Sequence, residues 1–308
     1  MTNYTLNNHL RYSIGGREFG YRENASEKFS VQLGTIDFDH YQRSNYCSEL
    51  RRTADSVYNE FGKDLVIFLS GGTDSEIVLR NFLDIGIKPK CAAVRFKDDY
   101  NAPDILEAIE IAKDLSIDLE ILDFDVKDFY YSGAAAEFGK TIQCTQVTYL
   151  LVYYHILKLG MPSVMGGEAL FTRGVSKLGT DWYYTFRENE DASAMRFSEK
   201  YNIPLVNEWF SYTPELLMYY LEDETMQNLF SERYNYKLSS VSTKNNVLRR
   251  LYPGLRVKKK THGFERLLGF NYEAYKGISL DQTKRFEPSL DGISLKTVIK
   301  MLNGEYES

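Results

Sequence analysis

Leu65-Val-Ile-Phe-Leu-Ser-Gly-Gly-Thr-Asp-Ser75 is the stretch on which the reading of this chain turns. Its first half, Leu65 to Leu69, is an unbroken apolar run, the pattern of a strand buried on both faces of a parallel sheet. Its second half is small and polar and leads into Glu76–Ile85, where Ile77, Val78, Phe82 and Ile85 recur at helical spacing. In a doubly wound sheet, ligands bind beyond the carboxyl ends of the strands, near the switch point. A helix starting there offers N–H groups that lack intrahelical acceptors, and a partial positive charge. Gly71 and Gly72 let the backbone curl and approach phosphate oxygens with no Cβ in the way. Ser70, Thr73 and Ser75 add hydroxyl donors. Asp74 would repel a phosphate unless it holds a Mg²⁺ that also grips the phosphates. The loop contains no lysine, so it is not the GxxxxGK[ST] type. The plainer alternative is a Gly-Gly turn with Asp74 or Ser75 as helix cap. All six residues at one strand–loop–helix junction favour the phosphate reading.

Working outward, Cys91–Phe96 reads as the next strand. Pro103 opens a helix, where its missing N–H costs nothing, with Ile105, Ile109, Ala112 and Leu115 on its apolar face. Leu119–Phe124 alternates like a strand, Thr145–Leu159 is helical, and Pro162–Met165 is a short strand. Alternating strands and helices predict an α/β fold with a doubly wound, mainly parallel sheet over 61–175. Residues 1–60 form a separate opening section. In it Leu10, Tyr12 and Ile14, then Phe19 and Tyr21, alternate with polar residues around Gly15-Gly16, a hairpin signal. Val31, Leu33, Ile36 and Phe38 suggest another strand or two, and a helix follows from about Ser48 to Phe61. After Gly174 the chain is aromatic and helical without clear strands, as in Pro214–Leu221 and Met226–Tyr234. Residues 176–308 are therefore expected to be a helical region completing the substrate site.

At 308 residues, with 43% hydrophobic and 26% charged residues, the composition is that of ordinary globular proteins and excludes collagen-like, low-complexity and disordered chains. With 37 basic residues against 43 acidic ones the net charge is −6, which weighs against a broad nucleic-acid surface. The longest apolar stretch, Tyr149–Leu157, falls well short of the ~20 residues of a membrane span, and the N-terminus has no secretory h-region. Three scattered cysteines, Cys47, Cys91 and Cys144, predict reduced thiols and a cytoplasmic setting. No CxxC occurs and the four histidines are scattered, so zinc is not expected. The 24 tyrosines fit helix packing with polar rims better than a ligand cage.

SGGTDS resembles the SGGxDS pyrophosphate loop of the N-type ATP pyrophosphatases, the PP-loop superfamily with an adenine nucleotide alpha-hydrolase-like fold. Its members cleave ATP between the α and β phosphates and leave an adenylated substrate. Two further segments are similar to the synthetase domain of asparagine synthetases. Ser163-Val-Met-Gly-Gly-Glu-Ala-Leu-Phe171 matches SGEGADELF, which puts Glu168 at a metal-binding aspartate and Ala169 at the following glutamate. Lys244–Phe264 resembles a leucine-arginine helix, a proline and a K-x-G-F element whose lysine reaches ATP phosphates. Lys260 is the nearest match, one residue farther from Gly263-Phe264 than in the family, with Lys258 and Lys259 left open.

The resemblance spans roughly residues 60–270. It implies a catalytic set of Asp74, Glu168 and Lys260, with Asp74 and Glu168 on Mg²⁺. It also implies ATP contacts from Leu69, Ser70, Gly71, Gly72, Thr73, Asp74, Ser75, Phe96, Gly166 and Lys258. Only some 60 residues precede the nucleotide section, so no glutaminase domain is expected in this chain. The implied reaction is attack of a small-molecule carboxylate on the α-phosphorus of Mg·ATP, loss of pyrophosphate, and amide formation. The nitrogen would be ammonia, an amine, or ammonia passed from a separate subunit. Two rivals stand beside it: a PP-loop enzyme that modifies a nucleobase or tRNA, favoured by the basic Arg256–Lys260 run, and an inactive nucleotide-binding protein, suggested by Glu168 and Ala169. His262, Arg173 and the trio Asp123, Asp125 and Asp128 are weaker site candidates. The oligomeric state, a homo-oligomer included, is left open.

Overall fold

A computed structural model of the chain describes residues 10–222 except 25, 33, 145, 168–170, 177–178, 185, 187 and 189–190, together with 254–255 and 293–294. For 38, 147, 171–176, 179–184, 220–222 and 293–294 it describes the backbone alone.

The opening section folds around a tight hairpin. Strand β1 (Arg11–Ile14) pairs antiparallel with β2 (Arg17–Glu18) across Gly15-Gly16. Their φ values of +56° and +80° are those a two-residue turn of matching twist requires at both central positions. A single further strand, β3 (Phe29–Gln32), pairs with the other edge of β1. Ile36 and Phe38 do not continue it as the alternation suggested. The Asp37 carboxylate accepts the His40 N–H and caps a short helix, α1 (Phe38–Arg43), because a capping aspartate satisfies an orphan helix donor where a strand offers it nothing. Helix α2 (Tyr46–Phe61) starts two residues earlier than predicted, at a reciprocal capping box between Asn45 and Ser48.

The central sheet has five strands: β4 (Val66–Phe68), β5 (Lys90–Phe96), β6 (Leu119–Phe124), β7 (Ser163–Val164) and β10 (Leu205–Val206). Their spatial order is β10-β7-β4-β5-β6, and every pairing is parallel. The chain walks outward from β4 through β5 to β6, then restarts on the other side of β4 with β7 and β10. The direction of winding therefore reverses between β4 and β7, the place where a doubly wound sheet opens a ligand crevice. Every residue of β4 is buried, as its apolar run requires. The crossovers are α3 (Thr73–Asp84), α4 (Ala102–Asp114), then α5 (Val126–Tyr131), α6 (Ala134–Ile142) and α7 (Val147–Leu159). On α4 the buried stripe is Ile105, Ala108, Ile111 and Ala112, and Ile109 is exposed. The helix is rotated so that the small Ala108 meets the neighbouring loop, which carries Ile109 to the far edge of the stripe.

Beyond Gly174 the described residues contain strands that apolar periodicity alone did not reveal. Strands β8 (Phe171–Ser176) and β9 (Gly179–Tyr184) form an antiparallel hairpin, which β11 (Ile293–Ser294) extends. After helix α8 (Asp191–Tyr201), β10 returns to the central sheet, and α9 (Pro214–Glu222) then packs on α2. The helix expected over Met226–Tyr234 lies outside the described residues. No helix among the described residues is long and apolar enough to cross a membrane.

Two buried polar features lie between these layers. Arg22 and Arg196 both clasp the Glu188 carboxylate, at 2.6 Å and 2.9 Å, tying the opening section to α8. His155 on α7 packs edge-on to Phe124, and its Nε2 has no hydrogen-bond partner among the described residues. Burial, with Lys158 nearby, lowers its pKa from 6.5 to about 4. The folded protein thus keeps this imidazole neutral over a range where the unfolded chain protonates it. The resulting stability is full above about pH 6.5 and is lost as pH falls toward about 4. His155→Phe should therefore lose about 2 kcal/mol less stability than the wild type between pH 7.5 and pH 4.5, measured by urea unfolding. Equal losses in both proteins would refute the assignment.

Candidate functional site

Ser70–Ser75 lies directly after β4, on the border with β7, so it stands at the switch point. Gly71 has φ +71°. A Cβ placed there would lie 2.4 Å from the Asp104 carbonyl oxygen and 2.9 Å from the Glu107 Cβ, both on α4. Neither the conformation nor the space admits a side chain. Gly71→Ala should cost about 2–4 kcal/mol, adding the left-handed backbone penalty to overpacking. An unfolding midpoint equal to wild type would show that the loop rests elsewhere.

The helix cap is neither Asp74 nor Ser75. It is Gly72, with extended backbone and no side-chain cap bond. The Ser75 hydroxyl is engaged inside the loop instead. It donates to the Gly72 carbonyl at 3.0 Å and lies 3.2 Å from both the Ser70 N–H and the Ser70 hydroxyl. Ser75 is buried, whereas Ser70 is exposed and Gly71, Gly72, Thr73 and Asp74 are half-buried. The loop is thus braced from within by one serine, and its exposed rim carries Ser70. With no side-chain acceptor from Gly72, the first turn of α3 presents backbone donors and the positive end of a helix dipole at this border.

The segment after β7 forms the facing wall. The Met165 N–H bonds to the Val206 carbonyl at 2.7 Å, so β7 and β10 end side by side. A Cβ on Gly166 would lie 2.7 Å from the Ser75 nitrogen, and one on Gly167 would lie 1.9 Å from the Asn207 carbonyl oxygen. Gly166, one of the candidate ATP contacts, therefore packs directly on the backbone of the loop.

On the β5 side a cavity of about 130 Å³ opens beside the loop. Leu69, Ser70, Phe96, Ile105 and Leu151 supply part of its wall, with Asp104 and Thr148 as polar groups. Phe96 is held at the strand end by Asn101, whose carboxamide oxygen accepts the Phe96 N–H and whose nitrogen donates to the Val94 carbonyl, each at 2.8 Å. Of the candidate ATP contacts, Leu69, Ser70 and Phe96 line this cavity, and so do Asn101, Asp104 and Thr148, which the sequence did not single out. An asparagine two residues before Pro103 reads as a plain helix entry. Cys91 lies in β5, and burial pushes its thiol up to about 12, so it has no nucleophile's character.

Asp123 and Asp125 do not join this cavity. Asp123 pairs with Arg95 at 2.5 Å and Asp125 with Lys97 at 2.7 Å, on the exposed rim beyond β5 and β6. Hydrogen bonds from those cations hold both carboxyls below their usual range. Asp125 also accepts the Asp128 N–H as the cap of α5. Glu168, Lys258, Lys259, Lys260 and His262 lie outside the described residues, and Arg173 is described only in its backbone. Nearby, Gly254 accepts a hydrogen bond from Arg80 of α3 at 3.1 Å and Leu255 is buried.

Among the described residues no three metal-ligating side chains converge. Mg²⁺ does not need them, since it keeps several waters and binds through one or two carboxylates plus substrate phosphates. The donor chemistry of Asp74, a carboxylate in the first turn of α3 between Thr73 and Ser75, suits that mode.

No family model and no curated protein matches the chain. Among solved structures it is similar to a predicted subunit of tRNA methyltransferase from Methanocaldococcus jannaschii, at 13% identity and a TM-score of 0.37, over 75% of this chain and 96% of that one. It is also similar to NMN synthetase from Francisella tularensis, at 16% identity and a TM-score of 0.33, over 85% of this chain and 93% of that one. The fold stands on the strand order rather than on these likenesses: the chain is an α/β protein with a doubly wound parallel sheet whose glycine loop sits at the switch point.

Proposed function

We propose that this protein is an ATP-using enzyme of the PP-loop kind, which adenylates a carboxylate, releases pyrophosphate and passes the acyl group to ammonia or an amine. The observation that carries the reading is the SGGTDS loop at the β4–β7 border, with an apolar cavity against its first residue. The two have different chemistries that suit the two ends of one ligand. The loop offers backbone donors and hydroxyls to phosphates, and the cavity offers Phe96, Leu69 and Ile105 to a nucleobase. Bound Mg²⁺ would neutralise charge on the leaving phosphates, and Asp74 is the residue that would hold it. The chain's own part is to position and stabilise. The first turn of α3 holds pyrophosphate oxygens, Gly71 and Gly166 let α4 and the segment after β7 pack closely on the loop, and Ser75 keeps the loop in shape. Glu168 as a second Mg²⁺ ligand and a lysine among Lys258–Lys260 as a pyrophosphate contact complete the proposal on sequence grounds.

The test is a mass-spectrometric assay of the full chain with Mg·ATP and a panel of small carboxylates, each with ammonium or an amine. AMP and pyrophosphate in equal amounts, with an amide product, are the expected result. ADP and phosphate as products would overturn it, as would failure of ATP to bind. Stimulation of ATP–pyrophosphate exchange by tRNA, and not by carboxylates, would move the assignment to base or tRNA modification.

A further inference from the structure

We propose that Glu208, held by Tyr149, is the recognition group for the nitrogen-bearing substrate, an inference that rests on the ATP-dependent reading above. Glu208 follows β10 by two residues, at the carboxyl end of the outermost strand on that side, and is only 8% exposed. Its side chain leans inward along the sheet. A Cβ on Gly167 would lie 2.9 Å from the Glu208 Oε2, so the carboxylate rests against the segment after β7, the strand between β10 and β4. The next residue of that segment toward the loop, Gly166, is the one packed on the Asp74–Ser75 peptide. The carboxylate and the phosphate loop thus rest against two consecutive glycines, Gly167 and Gly166.

The Tyr149 hydroxyl fixes this arrangement by donating to Glu208 Oε1 at 3.2 Å. Tyr149 belongs to the first turns of α7, whose Thr148, Leu151 and Val152 line the cavity beside Ser70. One helix end therefore touches both the cavity and Glu208. Local capping does not explain the carboxylate, because the backbone carbonyl of Glu208, not its side chain, takes the Ser211 N–H at 3.3 Å.

An ionised carboxylate only accepts hydrogen bonds, so Glu208 attracts ammonium, amine or amide N–H groups and repels a second carboxylate. The reacting carboxylate of the substrate must then sit elsewhere, nearer the loop. Glu208 selects the amino group, whether it belongs to the acyl donor or to the incoming amine.

The experiment measures AMP formation by the full chain with Mg·ATP over amine-bearing compounds (ammonium, α-amino acids, diamines) and their deaminated or hydroxyl counterparts. Amine-bearing members should be preferred about tenfold or more, and Glu208→Gln should raise the KM for the best of them by about tenfold, with the ATP dissociation constant unchanged. Tyr149→Phe should raise the same KM severalfold, and it serves if Glu208→Gln does not fold. Equal turnover with deaminated counterparts, an unchanged amine KM in both variants, or ATP binding with no amine-bearing compound turned over would each overturn the role of Glu208. Failure of ATP to bind the wild type overturns the reading of the loop instead.

Discussion

Asp74→Asn is expected to lower ATP-dependent pyrophosphate release by about a hundredfold or more while leaving the folded state almost untouched. The two effects separate because they draw on different properties of one side chain. The substitution keeps the size and hydrogen-bonding reach of a half-buried residue in the first turn of α3. What it removes from stability is a negative charge near a helix N-terminus, worth about 0.3–1 kcal/mol. What it would remove from catalysis, on the proposed reading, is an anionic ligand to the Mg²⁺ that Asp74 would hold, worth about 2.7 kcal/mol or more by the same hundredfold. Pyrophosphate release and the urea midpoint, measured on one preparation, distinguish the cases. Turnover near wild type would remove Asp74 from the metal site, and a collapsed midpoint would make it a structural residue.

Glu188→Ala is expected to cost about 3–5 kcal/mol, a large part of the roughly 5–15 kcal/mol that stabilises a typical domain. The Glu188 carboxylate is fully buried and shared by two buried guanidiniums. Arg196 spends its other donors on the Gly20, Gln143 and Glu188 carbonyls and lies over the Tyr12 and Tyr21 rings, 5.6 Å and 5.8 Å from their centres. Those contacts satisfy hydrogen bonds without neutralising charge. Deleting the glutamate leaves two cations in a low-dielectric setting with their shared counter-charge gone. Urea unfolding should show the loss, and limited proteolysis should cut first near residues 10–32, because the triad is one of the ties between that three-stranded sheet and α8, beside the Tyr21 hydroxyl on the Arg196 carbonyl. A loss under about 1 kcal/mol would mean the arginines reach water by local rearrangement.

The sequence revealed local features far better than placement. The glycine hairpin at Gly15-Gly16, the buried run of β4 and the three strand–helix repeats after it were legible because period, turn chemistry and length agreed. The two-residue strand β10 was not, since two residues carry no period, and with it went Asn207 and Glu208 at its end. Ser75 reads from sequence as a hydroxyl donor at the loop, and only the structure adds that this hydroxyl bonds Ser70 and Gly72 and braces the loop. Ile109 looked like core because helical spacing fixes a stripe's width and not the rotation of the helix against its neighbours.

By itself the sequence determined the strand–loop–helix unit over 65–85: a polar glycine turn after an apolar strand forms such a unit, because chain stiffness, glycine's freedom and burial act over a few residues. Only the tertiary structure decided that β7 and β10 return beside β4. That return creates the switch point, sets Gly166 against Ser75, and brings a carboxylate from more than a hundred residues away to the same edge. Strand order is a matter of packing whole layers, and no local stretch of sequence carries it.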